Sequence, residues 1–279
     1  KLLSPAARIN GINEQAQPAA DVAKIDEAQV PNILWGQMAG CLVARWRTEE
    51  ADLEFVIPDH LIMTGSDALA AAGFTPCTDP ECREVQTTGN DRPVAPVHCH
   101  VVSRYPRYEG LLVIRLYPKS GHLWWLPDFK VSPPAIDDPD LMLSNDPQLP
   151  PYIPGGCSGP WTEIYPIQIL SPNSYAEAVL LLHFRDYKHA NSYDNTWHFL
   201  LFPLMEYHIN PELTVKRTLR PKFQAKWEEF NLPWKNLQNK FNPLLKLMKE
   251  MRDNNELPPP PPVNWYKTVE EAKKRDCWM

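Results

Sequence analysis

The chain has 279 residues, 43% of them apolar and 10% aromatic, enough to bury a core in one large domain or two small ones. No run of eighteen apolar residues occurs, which speaks against a helical membrane span, and six cysteines over this length do not make a disulfide scaffold. A net charge of −6 argues against a general nucleic-acid coat.

The opening stretch, "KLLSPAARINGINEQAQPAADVAK", has no apolar signal core and reads as a loose arm or weak helix over residues 1–30. An intracellular, cytoplasmic protein with no membrane partner is the expectation. Ile33–Arg45 is apolar on one side and predicts a helix. Asp52–Ile57 predicts a short strand, and Leu61–Ala72 a helix ended by Gly73. Phe74–Gly89 reads as a loop or ragged strand. Val94–Val102 and Leu111–Tyr117 are the next strands, the second being the clearest in the chain. Of the 31 prolines, many fall between Pro127 and Pro160 and predict a long irregular connection.

Beyond Pro166 the pattern turns helical. Ser171 and Pro172 suit the N-cap and first position of a helix, and Asp194–Tyr207 predicts a second helix kinked by Pro203. Trp234, Leu237, Phe241, Leu244, Met248 and Met251 alternate in steps of three and four, an amphipathic seam. Pro258–Pro262 predicts a stiff spacer. The expected class is α+β. A small mixed sheet with flanking helices fills 31–165, a mostly helical region follows at 166–257, and a proline spacer and tail close the chain at 258–279.

Three groups of residues invite chemistry. Asp52 and Glu54, two apart on a strand, project to one face while Leu53 and Phe55 project to the other. Like charges this close repel unless a cation or solvent lies between them. A divalent ion such as Mg²⁺ would answer that need, and a solvated acidic edge is the competing reading. Cys77, Cys82, His98 and His100 form Cys-x4-Cys followed by His-x-His, a candidate tetrahedral zinc set. If the two histidines face the Asp52 side, they belong to that cleft instead. Between Thr214 and Arg252, ten basic residues against three acidic ones give +7 and leave the rest of the chain at −13. Within that arm Lys216, Arg217, Arg220 and Lys222 are candidates for a compact polyanion such as tRNA, against a solvated helical face.

The order of motifs from Ile33 to Tyr207 resembles the nucleotidyltransferase superfamily, closest to its toxin-like branch. Gly36-Gln37-Met38-Ala39 stands where that branch has a glycine-bearing helix start, Arg47-Thr48 where it has a turn, and Asp52-Leu53-Glu54 where it has its metal-binding strand. "LIMTGSDALAAAGF" and "IQILSPNSYAEAVLLLHFRDY" are similar to its later helices. The segment "LYPKSGHLWWLPDF" is also similar to predicted proteins of filamentous fungi, which implies no function.

The resemblance implies an enzyme that transfers a nucleotidyl group from an NTP to an acceptor. Asp52 and Glu54 would hold Mg²⁺ as catalytic residues, and Gly36, Gln37 and Gly40 would approach the nucleotide. Lys119 and Ser120, just after the clearest strand, are a separate candidate for contact with a nucleotide phosphate, against a simple turn. The pattern departs from the family in two ways. Gln37 stands where a small residue is usual, and the later strands offer His98, His100 and Arg115 in place of a third carboxylate. A non-catalytic binding protein on the same fold, or a transferase that uses tRNA, are the alternatives.

Overall fold

The computed structural model describes residues 16–44, 52–85, 92–101, 112–154, 157–189, 194–205, 217–232 and 241–261. The chain divides into two compact units. The first comprises Lys1–Val85 with Ala95–Ser174, and the second Gln86–Val94 with Tyr175–Met279. The described elements are mixed α and β, with all strands in the first unit.

The first unit is built on a six-stranded mixed sheet. In chain order its strands are β1 (Ile33–Trp35), β2 (Leu53–Ile57), β3 (Val97–His100), β4 (Val113–Pro118), β5 (Leu141–Leu143) and β6 (Gln168–Leu170), arranged β3-β4-β2-β1-β6-β5. The pairs β2/β4 and β1/β6 are parallel; β1/β2, β3/β4 and β5/β6 are antiparallel. The central strands are covered on both faces, which is why "ILW" and "VIRLY" are nearly unbroken apolar runs. Leu34, Phe55 and Ile114 are fully buried there. Each such side chain contributes about 1.5–3 kcal/mol of burial.

Helix α1 (Ala16–Ala23) buries Ala19, Ala20, Val22 and Ala23, so this part of the expected arm is packed. The apolar run from Ile33 does not form one helix. It is strand β1 followed at once by α2 (Gly36–Val43). The break is Gly36, whose φ of +65° is a left-handed backbone that side chains disfavour. Helix α3 (Ile62–Ala71) matches its expected span closely and stops where Gly73 turns to φ +87°. Gly65 of α3 lies against the sheet. A Cβ there would stand 2.9 Å from Ile57 and 3.1 Å from Leu116, so a small residue sets this close approach.

Lys119 and Ser120 open the short helix α4 (Lys119–His122). β5 and β6 lie in or beside the proline-rich stretch expected to be irregular, and their three-residue length left little signal.

The second unit is helical among its described residues. Helix α5 (Pro172–Asp186) begins as expected, with Ser171 Oγ accepting from the Ser174 N–H at 3.3 Å. Helix α6 (Asp194–Leu201) ends earlier than expected, in a 3₁₀ turn over Phe202–Leu204 that places Pro203 near its start. Helices α7 (Pro221–Asn231) and α8 (Asn242–Asp253) follow. Phe241 directly precedes α8, while Trp234 and Leu237 of the predicted seam lie outside the described residues. Leu244, Met248 and Met251 are buried. Arg252 donates to the carbonyls of Phe184, Arg185 and Tyr187 at 2.7–3.3 Å, satisfying acceptors at the end of α5. No helix among the described residues is long and apolar enough to cross a membrane.

Candidate functional site

Strand register places the first two groups of interest on one face of the sheet. Glu54 pairs across β2/β4 with Arg115, and Arg115 pairs across β4/β3 with His98. Side chains alternate along a strand, so Asp52, Glu54, Arg115, His98 and His100 share a face. Leu53, Phe55, Ile114 and Cys99 take the other.

Asp52 stands just ahead of β2, and its Oδ1 accepts from the Val113 N–H at 3.1 Å. Its Oδ2 accepts from Arg115 Nη1 at 2.6 Å, and the same nitrogen lies 3.7 Å from Glu54 Oε1. Glu84, from the loop before β3, takes the rest of the guanidinium. Its Oε2 is 2.7 Å from both Nε and Nη2. A cation beside the Asp52/Glu54 pair is therefore supplied from within the chain. Burial, at 3% exposure, pulls the Arg115 pKa down. Tyr117, Asp52, Glu84 and Glu54 outweigh it and hold the group well above its ordinary value.

Glu54 also faces the turn at Gly36, since Trp35 and Glu54 are partners across β1/β2. A Cβ on Gly36 would overlap the Glu54 carboxylate. Gly36 thus serves two needs, a left-handed turn and a close approach. It also brings a carboxylate beside the first turn of α2, where backbone N–H groups favour negative charge. Gln37 is half-buried on the first turn, and Gly40 lies within the helix, where its carbonyl accepts from Ala44 N–H at 2.8 Å. Arg47 and Thr48 lie outside the described residues.

Lys119 and Ser120 do not join this cluster. They follow the far end of β4, with Lys119 four residues beyond Arg115, roughly 13 Å along a strand. Ser120 bonds to the Asp59 carboxylate through both its N–H and its hydroxyl, and Lys119 lies 3.3 Å from Asp128. They line a separate cavity of about 670 Å³ with His60, Trp124 and Lys130.

The four zinc candidates do converge. One ligand atom from each of Cys77, Cys82, His98 and His100 falls within 4.8 Å of all the others. Cys82 Sγ is 3.3 Å from Nε2 of both His98 and His100. The loop is shaped for this by local bonds. Cys77 N–H donates to the His98 carbonyl at 2.8 Å, and Pro76 bridges to Cys99. Asp79 accepts from the backbone of Glu81 at 2.9 Å and of Cys82 at 3.1 Å, forming the turn that presents Cys82. Burial, then His100, lowers the pKa of His98 against the opposing pull of Glu84, favouring the neutral imidazole that can ligate. Burial raises the Cys82 thiol, and pushes Cys99, on the opposite face, up to about 12.

The basic cluster is largely committed within the second unit. Arg217 is buried and donates from Nη1 to the Leu204 carbonyl at 2.8 Å. Arg220 lies 3.4 Å from Glu177, and Lys222 pairs with Glu256. Lys216 lies outside the described residues. Sequence reasoning named Arg115 but not its role, and missed Glu84 altogether. Neither shows its partner in sequence, because Arg115 is 63 positions from Asp52 and 31 from Glu84. Comparison with protein-family models, with curated proteins and with solved structures finds no match for this chain.

Proposed function

We propose that this chain is a non-catalytic binding protein on a nucleotidyltransferase-like fold, in which an internal guanidinium stands where a metal-dependent transferase would hold Mg²⁺. The observation that carries the reading is Arg115 Nη1, 2.6 Å from Asp52 Oδ2 and 3.7 Å from Glu54 Oε1. The guanidinium fills the space between the carboxylates, so the set does not fit a magnesium ion. The fold reading is supported by the strand-glycine-helix turn at Gly36 beside the Asp-x-Glu strand. With three carboxylates against one arginine, the face stays acidic and repels free phosphates.

One observation favours a second reading, that of an Mg²⁺- and NTP-dependent nucleotidyltransferase. Glu84 does bring a third carboxylate to the pair. That reading requires Arg115 to swing away and surrender bonds to Asp52 and Glu84. Calorimetric titration of the whole chain with ATP and GTP, with and without Mg²⁺, decides between the two. No magnesium-dependent heat is expected. Magnesium-dependent binding that Asp52→Asn with Glu54→Gln abolishes would overturn the non-catalytic reading.

A further inference from the structure

We infer that Cys77, Cys82, His98 and His100 hold one structural zinc ion, and that this ion fixes the Pro76–Val85 loop so that Glu84 grips Arg115. Neither part rests on nucleotide binding. Bond lengths of about 2.0–2.3 Å to a tetrahedral zinc imply ligand-to-ligand separations of about 3.3–3.8 Å. Two of the separations are 3.3 Å, and all four ligand atoms lie within 4.8 Å of one another. Two thiolates and two imidazoles are the soft and borderline donors that zinc prefers over magnesium or calcium. Four protein ligands close the coordination sphere and leave no place for a reacting water, which makes the ion structural.

The ligands come from two segments with different anchoring. His98 and His100 sit on β3, hydrogen-bonded to β4 along its length. Cys77 and Cys82 sit on a loop that meets the sheet through the Cys77 N–H bond and the Pro76 bridge at its start. Its later part, from Cys82 to Val85, is closed by a local turn in which Val85 N–H donates to the Cys82 carbonyl at 3.1 Å. Glu84 is two residues past Cys82 and reaches Arg115 Nε and Nη2 at 2.7 Å. A metal bond at Cys82 therefore ties down the stretch of backbone that carries Glu84. The two clusters on this face are mechanically linked through two residues of chain.

The experiment uses the full chain purified from zinc-supplemented cells. Elemental analysis is expected to find about one zinc per chain. After replacement by cobalt(II), the visible bands of a tetrahedral site with thiolate charge transfer should appear. His100→Ala is the gentlest ligand change, because His100 is exposed. It should lose most of the metal, as should Cys82→Ser, while Cys157→Ala keeps it. Trypsin reads the loop at Arg83: zinc-loaded protein should resist cleavage there, and chelation should open it. Glu84→Gln should retain one zinc, because the metal holds the loop and the loop holds Glu84. A wild-type chain without stoichiometric zinc and without thiolate-cobalt bands overturns the site. Zinc retained in full by both ligand variants overturns it equally. Unchanged trypsin resistance after chelation overturns the ion's hold on the loop that carries Glu84, and loss of zinc on Glu84→Gln overturns the order in which the ion, rather than Glu84, fixes that loop.

Discussion

Two clusters share one face of the sheet, and they satisfy themselves differently. Asp52, Glu54 and Glu84 surround a guanidinium whose planar fork supplies donors in several directions. Cys77, Cys82, His98 and His100 offer one another only weak hydrogen bonds between thiols and imidazoles. A group of hard oxygens found its cation inside the chain. A group of soft sulfurs and imidazole nitrogens is complementary to a cation from outside. Proximity of titratable residues alone does not distinguish the two cases; the donor chemistry and the nearest cation do.

Removing the internal cation is the strongest way to break the contrast. Arg115→Met leaves three carboxylates together without the guanidinium between them, and losing one member of a buried ion network costs about 3–5 kcal/mol. Urea unfolding of the variant should show a loss of that order. Magnesium or calcium should restore part of it in the variant and leave the wild type unchanged, because the three carboxylates then form an oxygen site for a hard ion. A variant as stable as the wild type and indifferent to divalent cations would mean that the arginine does not neutralise the pair.

A smaller effect sharpens the same point from the other side of Glu54. Gly36→Ala places a Cβ in a left-handed backbone and into the Glu54 carboxylate. The conformational part alone costs about 1–2 kcal/mol. Displacing Glu54 should loosen the Arg115 cluster while leaving zinc content at the wild-type value. Thermal unfolding with elemental analysis of the same sample checks both halves.

The sequence made part of this visible and hid the rest for physical reasons. The strands "LEFVI" and "VIRLY" carry long apolar runs, and Gly73 marks the end of α3. The need for a cation or solvent beside Asp52 and Glu54 followed from their spacing, and the four candidate zinc ligands were named together. The identity of the cation was hidden, because only the β2/β4 register brings Arg115 opposite Glu54. Glu84 sits in a loop with no periodicity, so nothing in its neighbourhood pointed to Arg115. Gly36 fell inside the helix expected over Ile33–Arg45, since an apolar run cannot show that its first three residues pair with β2. The cluster Lys216, Arg217, Arg220 and Lys222 was a candidate surface for a compact polyanion, against a solvated helical face. Its acceptors, Glu177 and the Leu204 carbonyl, lie elsewhere in the chain, as does Glu256 beside Lys222.

The smallest expected effect concerns a third way of satisfying a carboxylate, by a neutral donor. Tyr165 donates its hydroxyl to Asp26, with Oδ1 and Oδ2 at 2.9 and 2.8 Å. Burial, then the hydrogen bond and charge of Asp26, push the Tyr165 pKa up to about 12 from its ordinary 10. A raised value favours the protonated phenol in the folded state. Its contribution to stability is therefore complete below pH 10 and is lost as the pH rises through about 12. In a spectrophotometric titration of the folded protein, one tyrosine should ionise late, near pH 12. Asp26→Asn removes the charge but keeps an acceptor oxygen, so it should bring that tyrosine part of the way back toward 10. The Arg115 cluster should be unaffected, because neither Asp26 nor Tyr165 is among its partners. An unchanged late tyrosine in Asp26→Asn would show that the charge of Asp26 has no part in the shift.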